Sequence, residues 1–501
     1  MSSVHQHAPQ LRRRRLGVIH IVFFTVAASA PLTVLGGGTT TIFAVTGNPG
    51  VALSFLLLAG ALALFAVGYA AMSRHVANAG AFYSYLARGL GPTWAVSGSS
   101  VALVSYNATQ IGLYGLFGYG LSGFLSEFAG MTLPWWVLSL VALVVVGALG
   151  ILRVDLNARV LAVLLVAECI VVLLYDIGAF THPAGGAVTL TGLKPSDLFV
   201  PGVGAVLAFS VGGFIGFESG AIYSEECRNP QVTVARATYV ALGFTGIFYA
   251  LSAWAMTVTV GASDLQAQAA ANGPGLVFGA LAEHWGAAVA DIGNVLFLTS
   301  VFAALLSFHN GVARYLFALG RERVLPVAFS RIGFSSGGPV AGSIGQSSLA
   351  LLVGAVFVVS GADPLLELFT WLTGMSALGV VLLMAGTSVA VVGYFRRHRD
   401  TSASAWQRVV APLLAAALLL ALAMLIVVNF DALLGTDPDS PLRWILPGIV
   451  LLAGVLGGIW GAVTKRSRPA VYRLIGQSAM QPEVLEPPIR LPALPGAHRR
   501  R

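Results

Sequence analysis

Val211-Gly212-Gly213-Phe214-Ile215-Gly216-Phe217-Glu218-Ser219 sets three glycines and a carboxylate inside an apolar run that extends from about 198 to 224. A run of that length is what a helix needs to cross a bilayer. Inside lipid a helix must satisfy its own backbone, so glycines at mid-span mark either close helix packing or a built-in interruption. A second cluster, Ala30-Pro31-Leu32-Thr33-Val34-Leu35-Gly36-Gly37-Gly38-Thr39-Thr40-Thr41, lies about 176 residues earlier, in the first apolar run.

The chain around them has the same character. Of its 501 residues, 57% are apolar and 10% charged, whereas soluble domains carry about 25% charge. That is too little polar surface to coat a water-soluble globule. Twelve spans are expected, near 17–46, 50–73, 93–126, 135–152, 158–178, 198–224, 235–260, 285–318, 343–361, 365–394, 408–430 and 443–464. Cys169 and Cys227 are too few for a disulfide framework or a Cys-based metal site. Neither a metal nor another cofactor is expected.

Charge placement orients the spans. With the amino terminus inside, every Lys and Arg except Lys194 and Arg443 falls in an inner segment. Short inner loops carry this bias, so the net charge of +8 reads as a topology signal and asks for no nucleic acid. Both termini are expected in the cytoplasm of a multi-pass plasma-membrane protein. The four arginines at 12–15, the apolar stretch after them and Ala28-Ser29-Ala30 also imitate a signal peptide. Cleavage there would leave eleven spans and misplace the next loops. Segments 1–15 and 465–501 read as basic tails on the cytoplasmic membrane surface.

The glycine clusters occupy the first and sixth spans. Five spans is an odd number, so units 16–178 and 198–394 have opposite orientation and form an inverted repeat, with the helices of 408–464 added after it. Glycine interruptions at corresponding positions of two such halves point to the binding site of a secondary transporter. Half-helix amino ends can hold a carboxylate, and unwound carbonyls an ammonium. An amino acid carries both.

Gly36-Gly37-Gly38 resembles the short Gly-x-Gly break of the amino acid–polyamine–organocation (APC) superfamily. Span six is more specific, with Phe214 to Ser219 followed by Glu225-Glu226-Cys227-Arg228-Asn229-Pro230. The exit of span eight, Asn310-Gly311-Val312-Ala313-Arg314-Tyr315-Leu316-Phe317-Ala318-Leu319-Gly320-Arg321 and then Leu325-Pro326, is similar to the family's as well. The likeness covers about 16–394. It implies an all-α integral membrane fold of twelve helices, a five-plus-five inverted repeat with helices 1 and 6 broken, and two extra helices. It also implies a permease that imports an amino acid or related amine by alternating access, with a proton as the expected coupling ion. A polyamine or amine exchanger, a sodium-coupled symporter and, remotely, a channel are the alternatives.

The expected substrate site combines Leu35, Gly36, Gly37, Gly38 and Thr39 with Gly213, Phe214, Gly216, Phe217 and Glu218, the two phenylalanines serving as lids. Asn107, Gln110 and Tyr114 share a face of span three and either line that site or bond between helices. Ionisable groups at this depth are functional candidates by default, which singles out Glu168, Glu218 and His309 for proton coupling. Glu218 either recognises an amine and relays a proton or ties the break together. Many proton-coupled relatives carry Lys where this chain, counted from Asn157-Ala158, has Glu168, so the ammonium that stands in for a sodium ion is missing. Glu168 otherwise only caps a neighbouring hydroxyl. His309 reads as a hydrogen-bonded core histidine more readily than as a gate.

No Walker loop, paired-His metal motif or nucleophile elbow appears, so neither an ATP-driven pump nor an enzyme is expected. No buried Lys or Arg awaits a second carboxylate, which points to a neutral or cationic amino acid.

Overall fold

The computed structural model describes residues 17–76, 81–152, 158–217, 230–333, 338–398, 403–435 and 439–476, and the regular structure among them is helical. The chain opens with α1 (Val18–Ser29), a π-helical turn (Thr33–Thr39) and α2 (Thr40–Thr46). Next come α3 (Val51–Ser73), the short α4 (Ala81–Gly89), α5 (Pro92–Ala129), α6 (Trp135–Ile151) and α7 (Ala158–Thr181). The one-turn α8 (Pro195–Leu198) precedes α9 (Val203–Gly212), α10 (Pro230–Val260), α11 (Leu265–Asn272), α12 (Gly275–Trp285) and α13 (Ala287–Arg321). The last part holds α14 (Val340–Val359), a π turn (Pro364–Phe369) leading into α15 (Thr370–Arg397), α16 (Ala411–Val428), α17 (Phe430–Leu434), α18 (Leu442–Ser467) and α19 (Pro469–Leu474).

Among the described residues, eight helical segments are long and apolar enough to cross a membrane. Val18–Ala27, Trp135–Ile151 and Val203–Gly212 are shorter apolar helices, and α5 runs for 38 residues. The outer surface fits a lipid solvent. On α14, Leu352, Val356 and Val359 are exposed, Val359 to 88%, and α18 presents Leu451, Leu452, Val455 and Leu456 in the same way. Apolar patches of that extent would drive association in water; hydrocarbon is where they cost nothing.

Inside, α5 is the central post, packed by α6, α13, α15 and α18. Small residues set the separation. Gly457 and Gly461 of α18 lie against Ser100 and Thr93 of α5, and Gly379 of α15 lies against Ser105. Lipid supplies no hydrophobic force between helices, so this close packing holds the bundle.

The first helix gives way earlier than the glycines imply. α1 ends at Ser29, and Ala30 takes a left-handed φ of 49°. Pro31 follows with no N–H to donate, and the residue before a proline avoids the α region. Gly36, Gly37 and Gly38 instead sit within the π turn, whose wider winding disturbs the usual ladder. Thr40 Oγ1 donates to the Gly36 carbonyl at 2.6 Å, and Thr41 Oγ1 donates to the Gly37 carbonyl at 2.6 Å. The threonine hydroxyls thus give these two glycine carbonyls side-chain partners.

The expected sixth span does give way at its glycines. α9 ends at Gly212, and residues 213–217 continue as tight turns. Phe214 N donates to Val211 O at 2.9 Å and Ile215 N to Gly212 O at 3.2 Å. Gly216, at φ 105°, takes a conformation that side-chain-bearing residues rarely hold. Glu218, with the stretch through Asn229 that includes Cys227, lies outside the described residues.

Candidate substrate site

The two interruptions face each other across a cavity of about 60 Å³. Ser29, Ala30, Thr33, Val34, Gly38 and Ile42 line it from the first span, and Phe209, Gly212, Gly213 and Ile215 from the sixth. Thr109 and Leu113 come from α5, Ala304 and Phe308 from α13, and Phe369 and Thr373 from the last π turn and α15. Phe55 of α3 closes the list of walls. Among the described residues no charged side chain lines this chamber. Its polar groups are hydroxyls. Thr109 Oγ1 lies 2.6 Å from Ser376 Oγ and Thr33 Oγ1 donates to Ser300 Oγ at 3.0 Å. Thr373 Oγ1 is buried with no hydrogen-bond partner among the described residues, so it can serve a ligand at no cost to the protein.

The three glycines of the π turn have different neighbours. A Cβ at Gly36 would lie 3.3 Å from the Phe297 ring, and one at Gly37 only 2.6 Å from Leu116 Cδ2. At Gly38 a Cβ meets nothing within 4 Å. Gly38 therefore opens on the chamber, while Gly36 and Gly37 let α13 and α5 approach. Leu35 and Thr39 are buried in the turn and do not line the chamber.

The remaining candidates divide. Gly213 is at the wall, and Gly216 shapes the turn behind it. Phe214 packs on Phe55, with ring centroids 6.2 Å apart, and Phe217 packs edge-on to Phe65 at 5.9 Å. Neither ring lines the chamber, where Phe209, Phe308 and Phe369 stand instead. Asn107 donates to the Leu103 carbonyl on its own helix at 2.6 Å. Gln110 Nε2 lies 3.3 Å from Tyr114 OH and 3.3 Å from His309 Nδ1. The shared face of Asn107, Gln110 and Tyr114 is thus real for the latter pair, but α5 turns Thr109 and Leu113 to the cavity.

His309 sits in a buried helix-to-helix network. Its Nε2 is 2.7 Å from Ser343 Oγ, which donates to the Gly147 carbonyl at 3.3 Å. With Gln110 this ties α5, α13, α14 and α6 together.

Glu168 is placed otherwise. Its Oε2 accepts from the Leu32 amide at 3.3 Å and from Ser300 Oγ at 2.9 Å. Since Thr33 donates to that same Ser300 oxygen, a polar thread runs from the chamber wall through Ser300 to Glu168 and back to the α1 interruption. Just below, Tyr249 of α10 donates to Ser29 Oγ at 2.9 Å. Sequence reasoning passed over Asp176, two turns after Glu168 on α7, buried and accepting from Ser252 Oγ at 3.1 Å. An ionisable residue within the expected fifth span was signal enough. Thr33, Ser300 and Thr373 carried no comparable mark.

A larger cavity of about 890 Å³ opens at the carboxyl-terminal end of α5. Glu127, Asp291 and Asp363 line it, without any Lys or Arg among the described lining residues. Phe278 and Phe297 form part of its wall and also back Gly36, so these two rings separate this mouth from the π turn.

Residues 20–472 match the family model for amino acid permeases. The branched-chain amino acid permease BcaP of Bacillus subtilis is 26% identical over 350 residues, which cover 64% of this chain and 70% of that one. BcaP of Lactococcus lactis subsp. cremoris is 27% identical over 361 residues, covering 64% and 74%. The low-affinity putrescine importer PlaP of Escherichia coli is 24% identical over 327 residues, covering 63% and 69%.

Proposed function

The chain belongs to the amino acid permease family, and from that premise we propose that it imports a neutral amino acid with an aliphatic side chain across the plasma membrane, driven by a proton gradient. It is a multi-pass membrane transporter and not an enzyme. The observation that carries the substrate assignment is the chamber. Hydroxyls and backbone line its polar part and Val34, Ile42, Leu113, Phe209 and Phe308 the rest. No described residue of the chamber wall carries a counter-charge for a guanidinium or a second ammonium, and a buried charge left unpaired costs several kcal/mol. The similarity to two branched-chain permeases supports this reading over the putrescine importer.

The eight long helices, the three shorter apolar ones and α5 support a reading of twelve crossings, in which both termini lie on the basic, cytoplasmic side. The interruptions at Ala30 and Gly213 fit equivalent positions of a five-plus-five inverted repeat. In alternating access, the halves on either side of these interruptions rock around the chamber. Glu168 bonds the backbone just past the interruption, so protonating it exchanges a charged acceptor for a neutral one at the Leu32 amide and weakens that bond. That exchange couples a proton to the position of the segment that follows α1.

Uptake of radiolabelled leucine, isoleucine, valine, arginine and putrescine into proteoliposomes, under an imposed pH or sodium gradient, tests the reading. Leucine-class uptake driven by an inward proton gradient is expected. Preference for arginine or putrescine would sink the substrate assignment, and a sodium requirement the coupling.

A further inference from the structure

α13 ends at Arg321, and the carboxylate that follows it, Glu322, is only 8% exposed. Separate parts of the chain meet on it. The Tyr83 hydroxyl of α4 donates to Glu322 Oε2, and the Gly476 amide donates to the same oxygen at 3.0 Å. The Tyr83 ring also lies edge-on to Tyr315 of α13, with centroids 6.3 Å apart. Burial, and then the adjacent carboxylate, push the Tyr83 phenol well above its ordinary range, which keeps it a donor.

The segment that delivers Gly476 is fastened along its length. Trp460 Nε1 of α18 donates to the Val324 carbonyl at 2.8 Å, and Tyr472 OH lies 2.9 Å from Thr93 Oγ1 at the start of α5. Ile475 is buried to 2% exposure. Gly476 has φ 74° and approaches Ala87 of α4 so closely that a Cβ would collide with it. Residues 469–476 therefore bridge α4, the beginning of α5 and the end of α13.

Those elements carry the site. α13 supplies Ser300, Ala304 and Phe308, and α5 supplies Thr109. Opening the chamber toward the basic face requires their ends to separate, and closures of this kind commonly set the rate of a cycle. Resting on the alternating-access reading above, we propose that residues 469–476 form a latch across the basic face: seated, it holds the ends of α4 and α13 together, and its release governs inward opening.

Thr93→Cys combined with Tyr472→Cys, in a background carrying Cys169→Ala and Cys227→Ser, tests this in proteoliposomes with radiolabelled leucine. A short, reducible bifunctional thiol reagent is expected to bridge the pair and to stop most uptake, and reduction to restore it. Failure of the bridge to form, or undiminished uptake by bridged protein, overturns the latch. Hydrogen exchange of Gly476→Leu needs no substrate. The larger side chain cannot seat against Ala87, so α4 and the last turn of α13 are expected to exchange faster than in the parent chain. Unchanged protection there also overturns the latch. Reduced protein that ignores leucine counts against the substrate assignment alone, and the exchange comparison still decides the latch.

Discussion

The carboxylate of Glu168 lies 3.3 Å from the backbone amide of Leu32, although the two residues are 136 positions apart. Leu32 follows directly on the left-handed Ala30 and on Pro31, so its amide is one of the groups that the interrupted helix leaves without a helical partner. α7 supplies that partner. Any movement of the segment that follows the interruption must either carry this bond along or break it.

Substituting Glu168→Gln keeps an acceptor for Leu32 but cannot release a proton. The variant is expected to exchange labelled for unlabelled substrate at near-normal rates while losing accumulation against a gradient. In the parent protein, uptake should rise as external pH falls. Normal concentrative uptake by Glu168→Gln under a pH gradient would assign the coupling elsewhere.

Two glycines of the π turn should separate by variant. Gly38→Val projects into the chamber and is expected to abolish leucine uptake with thermal unfolding unchanged. Gly37→Val meets Leu116 instead, and overpacking of this kind costs about 1–3 kcal/mol of stability. Thermal unfolding in detergent beside transport in liposomes distinguishes them; equal behaviour of the pair would contradict the geometry.

Thr373→Val removes a hydroxyl that has no partner in the described structure and preserves its shape. Folding should be unaffected. Losing a hydrogen bond to the substrate costs about 1 kcal/mol, which corresponds to a roughly five-fold rise in KM. An unchanged KM for leucine would place the ligand away from this wall.

Cys227 checks orientation. It stands among Glu225, Glu226 and Arg228 after the sixth span, a segment expected in the cytoplasm. A membrane-impermeant thiol reagent should miss it in intact cells and label it in inside-out vesicles. Ready labelling from outside would reverse the topology.

Much of this was legible in the sequence because lipid imposes blunt rules. Apolar run lengths located the helices, and Glu168 stood out because a carboxylate at that depth needs a reason. The place of the first interruption was harder to read. Three glycines look weaker than one proline, yet Thr40 and Thr41 give two of the glycine carbonyls side-chain partners while nothing restores the missing N–H of Pro31. Helical spacing correctly paired Gln110 with Tyr114, but spacing gives only relative faces. Which face of α5 looks into the chamber depends on how α13 and α15 pack around it, and that is tertiary information. Thr373 was hidden for a related reason: in a chain this rich in small residues, one more threonine carries no mark until its surroundings are known.

The carboxylates of Glu127, Asp291 and Asp363 add an outer filter to the chamber. A mouth walled by low-dielectric protein focuses its field, so this outer filter is expected to sort solutes by sign, disfavouring glutamate and aspartate and gathering organic cations. The chamber, with no charged side chain among its described lining residues, is expected to sort by shape. Added salt shortens the Debye length, to about 10 Å at 0.1 M, and so blunts the outer filter. The inner one, made of walls, is indifferent to it.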